Sequence, residues 1–367
     1  MAETVAGSSW TVFKMESTSA VVLTCAATGP LKAKLKIKAM VNRFIVFRGS
    51  FNKNDARGHN PNSGLQAWLS SPTGIIRSGY EGMFSALGIE APLRRDKCTS
   101  NLYLVGMEIA RLNELLQAAL EAAAAGSEVL LRHLSQQNDR LVIRAKRDGS
   151  PVSSVDLESH AAITEVLAPH GIPIISEEGA LPPFAERSNW PLFWLIDPLD
   201  GTQSYLDHRE GFAVNIALCD ASGPILGIVA DPLSDRIFAG TKSTRPFTVS
   251  LTNLNVRQAV VSQPATRPYR LVTSWNESLS KKDLLPPSLN ADAFQMEAVS
   301  GALKFCLLAT GEADVHARSA SYMEWDCAAG DGILRSIGIF VRDRETDQPL
   351  TYNSMSLRVG NLYASRL

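Results

Sequence analysis

Acidic residues follow apolar segments at several places along the chain. Glu177 and Glu178 come directly after one apolar run, Asp197 and Asp200 come after the next, and Asp326 stands at the predicted start of a helix. Carboxylate oxygens are the ligands that Mg²⁺ prefers in proteins. Acids beside buried strands, with no matching cluster of Lys or Arg, are costly unless a bound cation neutralises them. The pattern therefore predicts a divalent-cation site.

Each acidic segment also has a simpler structural interpretation. A Glu-Glu pair before Gly is usually a solvent-exposed turn, Asp-Pro-x-Asp is usually a capped turn, and Trp-Asp at a helix start usually caps that helix. Pro198 interrupts strand pairing and Gly201 permits close backbone approach, so a turn there can aim Asp197 and Asp200 at one point. The combination of these segments favours a metal site over a set of unrelated turns.

Alternating predicted strands and helices must position these acids. Apolar residues at helical spacing predict helices over 107–134, 157–167, 301–310 and 326–337. Short apolar runs predict strands over 141–146, 172–175, 192–196, 212–218, 225–230, 271–273 and 313–316, with the fourth and fifth forming a hairpin. Because the order lacks a strict βαβ rhythm, we expect a layered α/β or α+β sandwich.

The first hundred residues differ in composition from the rest. Residues 1–106 carry an excess of Lys and Arg, whereas residues 107–367 carry an excess of Asp and Glu. Short strands are predicted over 31–40 and 44–47, without any long periodic segment around them. We expect 1–106 to be a basic extension that is poorly ordered or results from a mis-assigned start, with an organelle transit peptide as the alternative. The folded protein is expected to comprise 107–240, with most metal ligands, and 241–367.

Composition restricts the class of protein. The chain of 367 residues is 45% hydrophobic and carries 36 basic and 37 acidic side chains, which gives a net charge of -1. This balance offers no overall electrostatic basis for binding nucleic acid, and no apolar run of about 18 residues predicts a membrane span. The 5 cysteines are widely spaced, which fits a reducing cytoplasm, and Cys219 and Cys306 are expected in the core.

Four short segments, three of which contain the acids described above, follow one another in the order and approximate spacing found in a known protein family. They are Asp-Gly-Ser-Pro-Val-Ser-Ser-Val-Asp at 148–156, Ser-Glu-Glu-Gly at 176–179, Asp-Pro-Leu-Asp-Gly-Thr at 197–202 and Glu-Trp-Asp-Cys-Ala-Ala-Gly at 324–330. Together they resemble the signatures of the inositol monophosphatase superfamily. Segments 300–306 and 313–318, with Met323, most resemble its 3'(2'),5'-bisphosphate nucleotidases. The resemblance covers 107–367 and implies the layered α/β/α/β/α sandwich of the inositol monophosphatase and fructose-1,6-bisphosphatase type.

The resemblance implies a function and assigns roles to individual residues. Such enzymes hydrolyse small-molecule phosphate monoesters with about two or three Mg²⁺ ions per site and are inhibited by Li⁺. The implied metal ligands are Glu177, Asp197, Asp200, Asp326 and the carbonyl of Leu199. The implied catalytic residues are Asp156, Thr202 and Glu177, with Glu178 supporting Glu177. The implied substrate-binding residues are Gly201, Thr202, Lys304 and Arg318.

Departures from the nucleotidase pattern leave the substrate open. Gln203, Ser204 and Tyr205 replace the usual Lys-Glu-aromatic sequence, and 274–277 reads Ser-Trp-Asn-Glu where an Arg-Ser-His segment is common. The first interpretation is a nucleotidase that removes the 3'-phosphate of adenosine 3',5'-bisphosphate, and the second is an inositol or related sugar-alcohol monophosphatase. A metal-binding scaffold without catalysis and a nucleic-acid-associated protein are weaker alternatives. No nucleic-acid or membrane partner is expected, and the chain is expected to be a cytoplasmic monomer or homodimer.

Overall fold

A computed structural model describes residues 4–5, 8–9, 97–136, 143–145, 151–207, 210–319 and 322–367. The chain divides into two compact units, Met1–Gly106 and Met107–Leu367. In the first unit, strand β1 (Thr4–Val5) pairs antiparallel with β2 (Ser8–Ser9). The strands predicted over 31–40 and 44–47 lie outside the described residues. The expectation that 1–106 is a poorly ordered extension stays a prediction.

The described residues include seven α-helices, of which four were predicted from apolar residues at helical spacing. They are α1 (Lys97–Ser135), α2 (Ser154–Leu167), α3 (Phe184–Arg187), α4 (Thr202–Leu206), α5 (Lys281–Leu284), α6 (Leu303–Thr310) and α7 (Glu324–Arg335). The predicted helices over 107–134, 157–167, 301–310 and 326–337 correspond to α1, α2, α6 and α7. Among the described residues, no helix combines the length and the apolar character needed to cross a membrane.

A seven-stranded sheet carries the first acidic segments. It follows a separate two-stranded sheet of β3 (Ile143–Ala145) and β4 (Pro151–Ser153). The strands of the seven-stranded sheet are β5 (Ile174–Ser176), β6 (Leu192–Asp200), β7 (Ala213–Asp220), β8 (Gly223–Asp231), β9 (Arg236–Thr241), β10 (Thr244–Ser250) and β11 (Asn253–Ala259). The strand order is β11-β10-β9-β8-β7-β6-β5. β5 runs parallel to β6, and β7 and β8 form the predicted hairpin.

A five-stranded sheet follows along the chain. Its strands are β12 (Tyr269–Thr273), β13 (Phe294–Ala298), β14 (Val315–Arg318), β15 (Arg342–Asp343) and β16 (Leu362–Ser365), in the order β13-β12-β14-β16-β15. β12 runs parallel to both β13 and β14, whose carboxyl ends therefore lie at one edge. Six strands of the two sheets were not predicted, namely β9, β10, β11, β13, β15 and β16. In the edge strands β11 and β13, most residues are exposed and form no clear apolar pattern.

The two sheets and three groups of helices form five layers. Leu116 of α1 and Ile163 of α2 pack with Trp194 on one face of the seven-stranded sheet. Phe193, on its other face, shares a core with α6, α7 and the five-stranded sheet. The remaining face of that sheet packs Leu271 against Leu284 of α5. This order confirms the expected α/β/α/β/α sandwich.

The contact between α7 and the seven-stranded sheet is unusually close. A Cβ atom at Gly227 of β8 would collide with the backbone carbonyl oxygen of Ala329 in α7. The absence of a side chain at Gly227 therefore lets α7 approach the sheet, and α7 carries Asp326. The seven-stranded sheet itself continues to Ala259, beyond position 240, and the division of 107–367 into two halves at 240 stays a prediction.

Candidate metal centre and active site

Three predicted ligands meet where β5 and β6 end. Ser176 pairs with Ile196 in the parallel ladder, so Glu177 and Asp197 each lie one residue further along neighbouring strands. Asp326 reaches the same point from the first turn of α7. One carboxylate oxygen of each acid lies within 4.8 Å of the corresponding oxygens of the other two. The structure thus brings Glu177, Asp197 and Asp326 together.

Asp200 lies beside this cluster and is held by hydrogen bonds. Pairing of β6 with β7 is irregular between Asp197 and Asp200, around the proline that was expected to interrupt it. Asp200 Oδ2 accepts hydrogen bonds from Asn215 Nδ2 at 3.0 Å and from the backbone N–H of Ala302 at 2.5 Å. The turn therefore presents Asp200 to two separate donors while Asp197 faces the other acids.

Burial and mutual repulsion dominate the electrostatics of the carboxylates. Burial raises the pKa of Asp197 well above its usual range, and the charges of Glu177, Asp200 and Asp326 raise it further. The pKa of Asp326 is raised in the same way, by burial and then by Asp200 and Glu177. Such a site favours either protons or a cation. Because all its donors are oxygens, the arrangement fits a hard divalent ion such as Mg²⁺.

Thr202 links two other predicted residues next to the cluster. Its Oγ1 lies 3.3 Å from Asp156 Oδ1 and 3.2 Å from the carbonyl oxygen of Leu199, and it can donate its one hydrogen to either. Asp156 is buried in the first turn of α2. The preceding Gly201 has φ of 84°, a conformation that glycine adopts without strain. The expected phosphate contact of the Gly201 and Thr202 backbone stays a prediction.

Lys304 and Arg318, the predicted phosphate contacts, are both buried. Lys304 Nζ donates to the carbonyl oxygens of Val299 at 3.1 Å and Gly301 at 2.5 Å. Burial lowers the pKa of Lys304 to about 8, while the negative charge of Asp200 acts in the opposite direction. Arg318 forms a salt bridge with Glu277, with a distance of 3.0 Å between Nη1 and Oε2. Lys304 thus lies in the electrostatic neighbourhood of the metal ligands.

Several polar residues that support the site were not identified from the sequence. Ser159 Oγ donates to the carbonyl oxygen of Pro198 at 2.9 Å and fixes the turn between Asp197 and Asp200. Glu324 accepts from the backbone N–H groups of Asn353 at 2.5 Å and Ser354 at 2.9 Å, which anchors the start of α7. Asn215, inside the apolar run of β7, could have been noticed as a lone buried polar residue. The role of Glu178 stays a prediction.

Burial distinguishes the other residues that the sequence analysis named. Tyr205 is buried and donates from its hydroxyl to the carbonyl oxygen of Leu130 at 3.0 Å, so it belongs to the core. Trp275 is 51% exposed. Cys219 and Cys306 are buried, as expected.

Comparisons with known proteins place this arrangement in a family. The model of the Inositol monophosphatase family matches residues 111–367. The chain is 32% identical over 211 residues to the 3'(2'),5'-bisphosphate nucleotidase CysQ of Shigella flexneri. That match covers 57% of this chain and 82% of the relative. CysQ of Aggregatibacter actinomycetemcomitans is 32% identical over 243 residues, with 65% of this chain and 87% of that protein covered.

A solved structure agrees with these sequence matches. CysQ from Bacteroides thetaiotaomicron, described as a bacterial member of the inositol monophosphatase family, superposes with a TM-score of 0.58 at 27% identity. The match covers 69% of this chain and 97% of that chain. The chain therefore belongs to the inositol monophosphatase family, a family of phosphatases that act on small phosphate esters and generally depend on metal ions.

Proposed function

We propose that this chain is a Mg²⁺-dependent phosphatase that hydrolyses the 3'-phosphate of adenosine 3',5'-bisphosphate. The convergence of Glu177, Asp197 and Asp326 within 4.8 Å carries the proposal, because it supplies a carboxylate site for metal-assisted hydrolysis. The bacterial relatives named as 3'(2'),5'-bisphosphate nucleotidases support the substrate class. A cytoplasmic location, the absence of nucleic-acid and membrane partners, and a monomeric or homodimeric state stay predictions.

The oxygen donors at the end of β6 would hold the ions. The set consists of Glu177, Asp197, Asp200, Asp326 and the carbonyl of Leu199. Bound Mg²⁺ polarises a phosphoryl group and makes a water molecule more acidic. The raised pKa values of Asp197 and Asp326 support this assignment, since a cation relieves the repulsion that raises them.

Thr202 and Asp156 would orient the attacking water. When Thr202 Oγ1 donates its hydrogen to Asp156, its lone pairs can accept a hydrogen from water and turn the water's own lone pair towards phosphorus. Asp156 would then receive the proton that moves through the hydroxyl. Glu177 is the other candidate acceptor for a proton of this water. The 3.3 Å distance between Thr202 Oγ1 and Asp156 Oδ1 supports the first route.

Positive charge beside the metal ligands would recognise the substrate. Lys304 is electrostatically coupled to Asp200 and to Arg318. We propose that Lys304 and Arg318 contact phosphate groups and that the backbone of Gly201 and Thr202 contacts the scissile phosphate. An inositol monophosphatase is the second candidate function, favoured by Ser-Trp-Asn-Glu at 274–277, which stands where the nucleotidases commonly have an Arg-Ser-His segment.

Phosphate release tests the proposed function directly. Adenosine 3',5'-bisphosphate and inositol 1-phosphate would be incubated with the full chain and Mg²⁺, with and without Li⁺. We expect preferential turnover of the nucleotide, inhibition by Li⁺ and loss of turnover in Asp200→Asn. Preference for the inositol ester would favour the second candidate function, an inositol monophosphatase. Absence of turnover of both esters would contradict the proposal.

A further inference from the structure

Glu277 is surrounded by hydrogen-bond donors in the loop that follows β12. Its Oε2 accepts from Arg318 Nη1 at 3.0 Å and from the backbone N–H of Ser319 at 2.9 Å, and the Ser319 hydroxyl also donates to it at 2.8 Å. Oε1 accepts from the backbone N–H groups of Ser278 at 2.8 Å and Leu279 at 3.0 Å. The carboxylate thereby joins the loop after β12 to the end of β14.

Glu277 remains ionised in this setting. Burial alone would raise its pKa, but hydrogen bonds from Ser319 and Leu279, together with the charge of Arg318, lower it to about 2. Its side chain is 1% exposed, and that of Arg318 is 7% exposed. Buried, hydrogen-bonded ion pairs of this kind fix geometry more firmly than surface pairs do.

The ion pair engages Arg318 through Nη1. Within the described part of the chain, the buried Nε of Arg318 has no hydrogen-bond partner. A guanidinium group can donate two parallel hydrogen bonds from Nε and Nη2 to a phosphate. Arg318 is therefore held at one nitrogen while a second buried donor remains unpartnered.

Arg318 lies close to the residues that flank the metal ligands. Its guanidinium carbon is 5.7 Å from the ring centroid of Tyr322, and Lys304 Nζ is 5.8 Å from the same centroid. Lys304 in turn interacts electrostatically with Asp200. Arg318 also ends β14, whose carboxyl end lies at the same sheet edge as that of β12, a usual location for ligand groups in α/β sheets.

We propose that Glu277 is a positioning residue for substrate selectivity, because it fixes Arg318 through Nη1 so that Nε is presented to a second, non-reacting phosphate of the substrate. This inference rests on the proposed function, in which the substrate carries two phosphates. An arginine held in place loses less conformational freedom when it binds an anion, so its pairing with Glu277 strengthens recognition of the second phosphate. Glu277 itself does not touch the reacting atoms.

Comparison of two nucleotides tests this inference. The values of kcat and KM would be measured for adenosine 3',5'-bisphosphate and adenosine 3'-monophosphate, which share the scissile phosphate. For Glu277→Gln we expect kcat/KM for the bisphosphate to fall about tenfold more than kcat/KM for the monophosphate, mainly through KM. In an Arg318→Met background, Glu277→Gln should cause no further loss of selectivity, because the group that it positions is gone.

Matched variants separate positioning from general damage. Glu297→Gln removes the partner of Arg270 in an exposed Arg–Glu pair of the same sheet and should leave selectivity unchanged. Arg318→Lys keeps a positive charge but loses the fork of donors, and it should lower selectivity even if Glu277→Gln does not fold. Equal losses for both nucleotides, or an increase in preference for the bisphosphate in Glu277→Gln, would overturn the inference.

A binding measurement distinguishes failure of this inference from failure of the proposed function. If the unmodified chain releases phosphate from neither nucleotide, the proposed function fails, and calorimetric titration with the two nucleotides decides the inference. Tighter binding of the bisphosphate, reduced about tenfold by Glu277→Gln, would still support it. Equal affinities of the unmodified chain for the two nucleotides would overturn it.

Discussion

Two charged regions of the same unit are organised in opposite ways. At the ends of β5 and β6, Glu177, Asp197 and Asp326 converge with like charge, and their repulsion contributes to the raised pKa values of Asp197 and Asp326. At the ends of β12 and β14, Glu277 and Arg318 neutralise each other within the protein, and the pKa of Glu277 is lowered.

The contrast separates a site that needs a ligand from a site that is already internally paired. Buried like charges destabilise the folded chain until a cation or protons neutralise them. Removing either partner of a buried, hydrogen-bonded ion pair instead destabilises the folded chain. The two regions should therefore respond in opposite directions to neutralising substitutions and to pH.

Asp197→Asn should have the largest effect on this contrast. Removing one ligand and its charge should lower kcat/KM for the preferred phosphate ester by about 10³-fold, since metal-ion catalysis contributes several kcal/mol. The same variant should raise the melting temperature of the metal-free protein, because it relieves repulsion from Glu177 and Asp326. Phosphate release and calorimetry would measure the two effects. A lower melting temperature in the metal-free variant would show that the carboxylates do not repel one another as described.

Thr202→Ala should cause the next largest effect and should act on chemistry alone. Loss of the hydroxyl that pairs with Asp156 should lower kcat by about 10²-fold, within the range expected for general acid–base catalysis. Thr202→Ser should restore most of the activity, while the increase in melting temperature caused by Mg²⁺ should persist in both variants. Unchanged kcat in Thr202→Ala, with Mg²⁺ still bound, would instead favour a metal-binding scaffold.

The pH dependence of stability should show the smallest effect and the clearest opposition between the regions. Above about pH 4, the usual range for Asp, the native metal-free chain retains protons at Asp197 and Asp326 that the unfolded chain releases. Their contribution to the free energy of unfolding therefore falls as pH rises, by up to about 1.4 kcal/mol per pH unit for each group. The difference between the curves for the unmodified chain and Asp197→Asn measures the part of this slope that depends on Asp197, and Mg²⁺ should reduce it.

Glu277 should contribute with the opposite sign in a more acidic range. Its pKa falls from 4.5 to about 2 on folding, so its stabilising contribution is complete above about pH 4.5 and is lost as pH falls towards 2. Comparison of Glu277→Gln with Glu297→Gln would measure this part. A difference between these variants that grows as pH falls would contradict the assigned ion pair.

Much of the metal centre could be predicted from the sequence because its ligands lie in short segments. The order of residues in 197–202 places two carboxylates on either side of a proline and next to a glycine, so a local turn suffices to orient them. Glu177 follows the preceding apolar run, and parallel pairing of β5 with β6 brings it to Asp197. The layered fold likewise followed from the alternation of apolar runs and amphipathic segments, whereas the exposed edge strands β11 and β13 lacked that signal.

The environment of each charge was decided only by the tertiary structure. Asn215 reaches Asp200 from the neighbouring strand, and Ala302 reaches it from a distant segment that precedes α6. Arg318 could be selected by its place in a motif, but its pairing with Glu277 depends on the side-by-side arrangement of β12 and β14. Sequence spacing within a turn determines which groups are available, because covalent geometry limits where they can go. Burial, partners and pKa depend on contacts between distant segments, which form only when the layers pack.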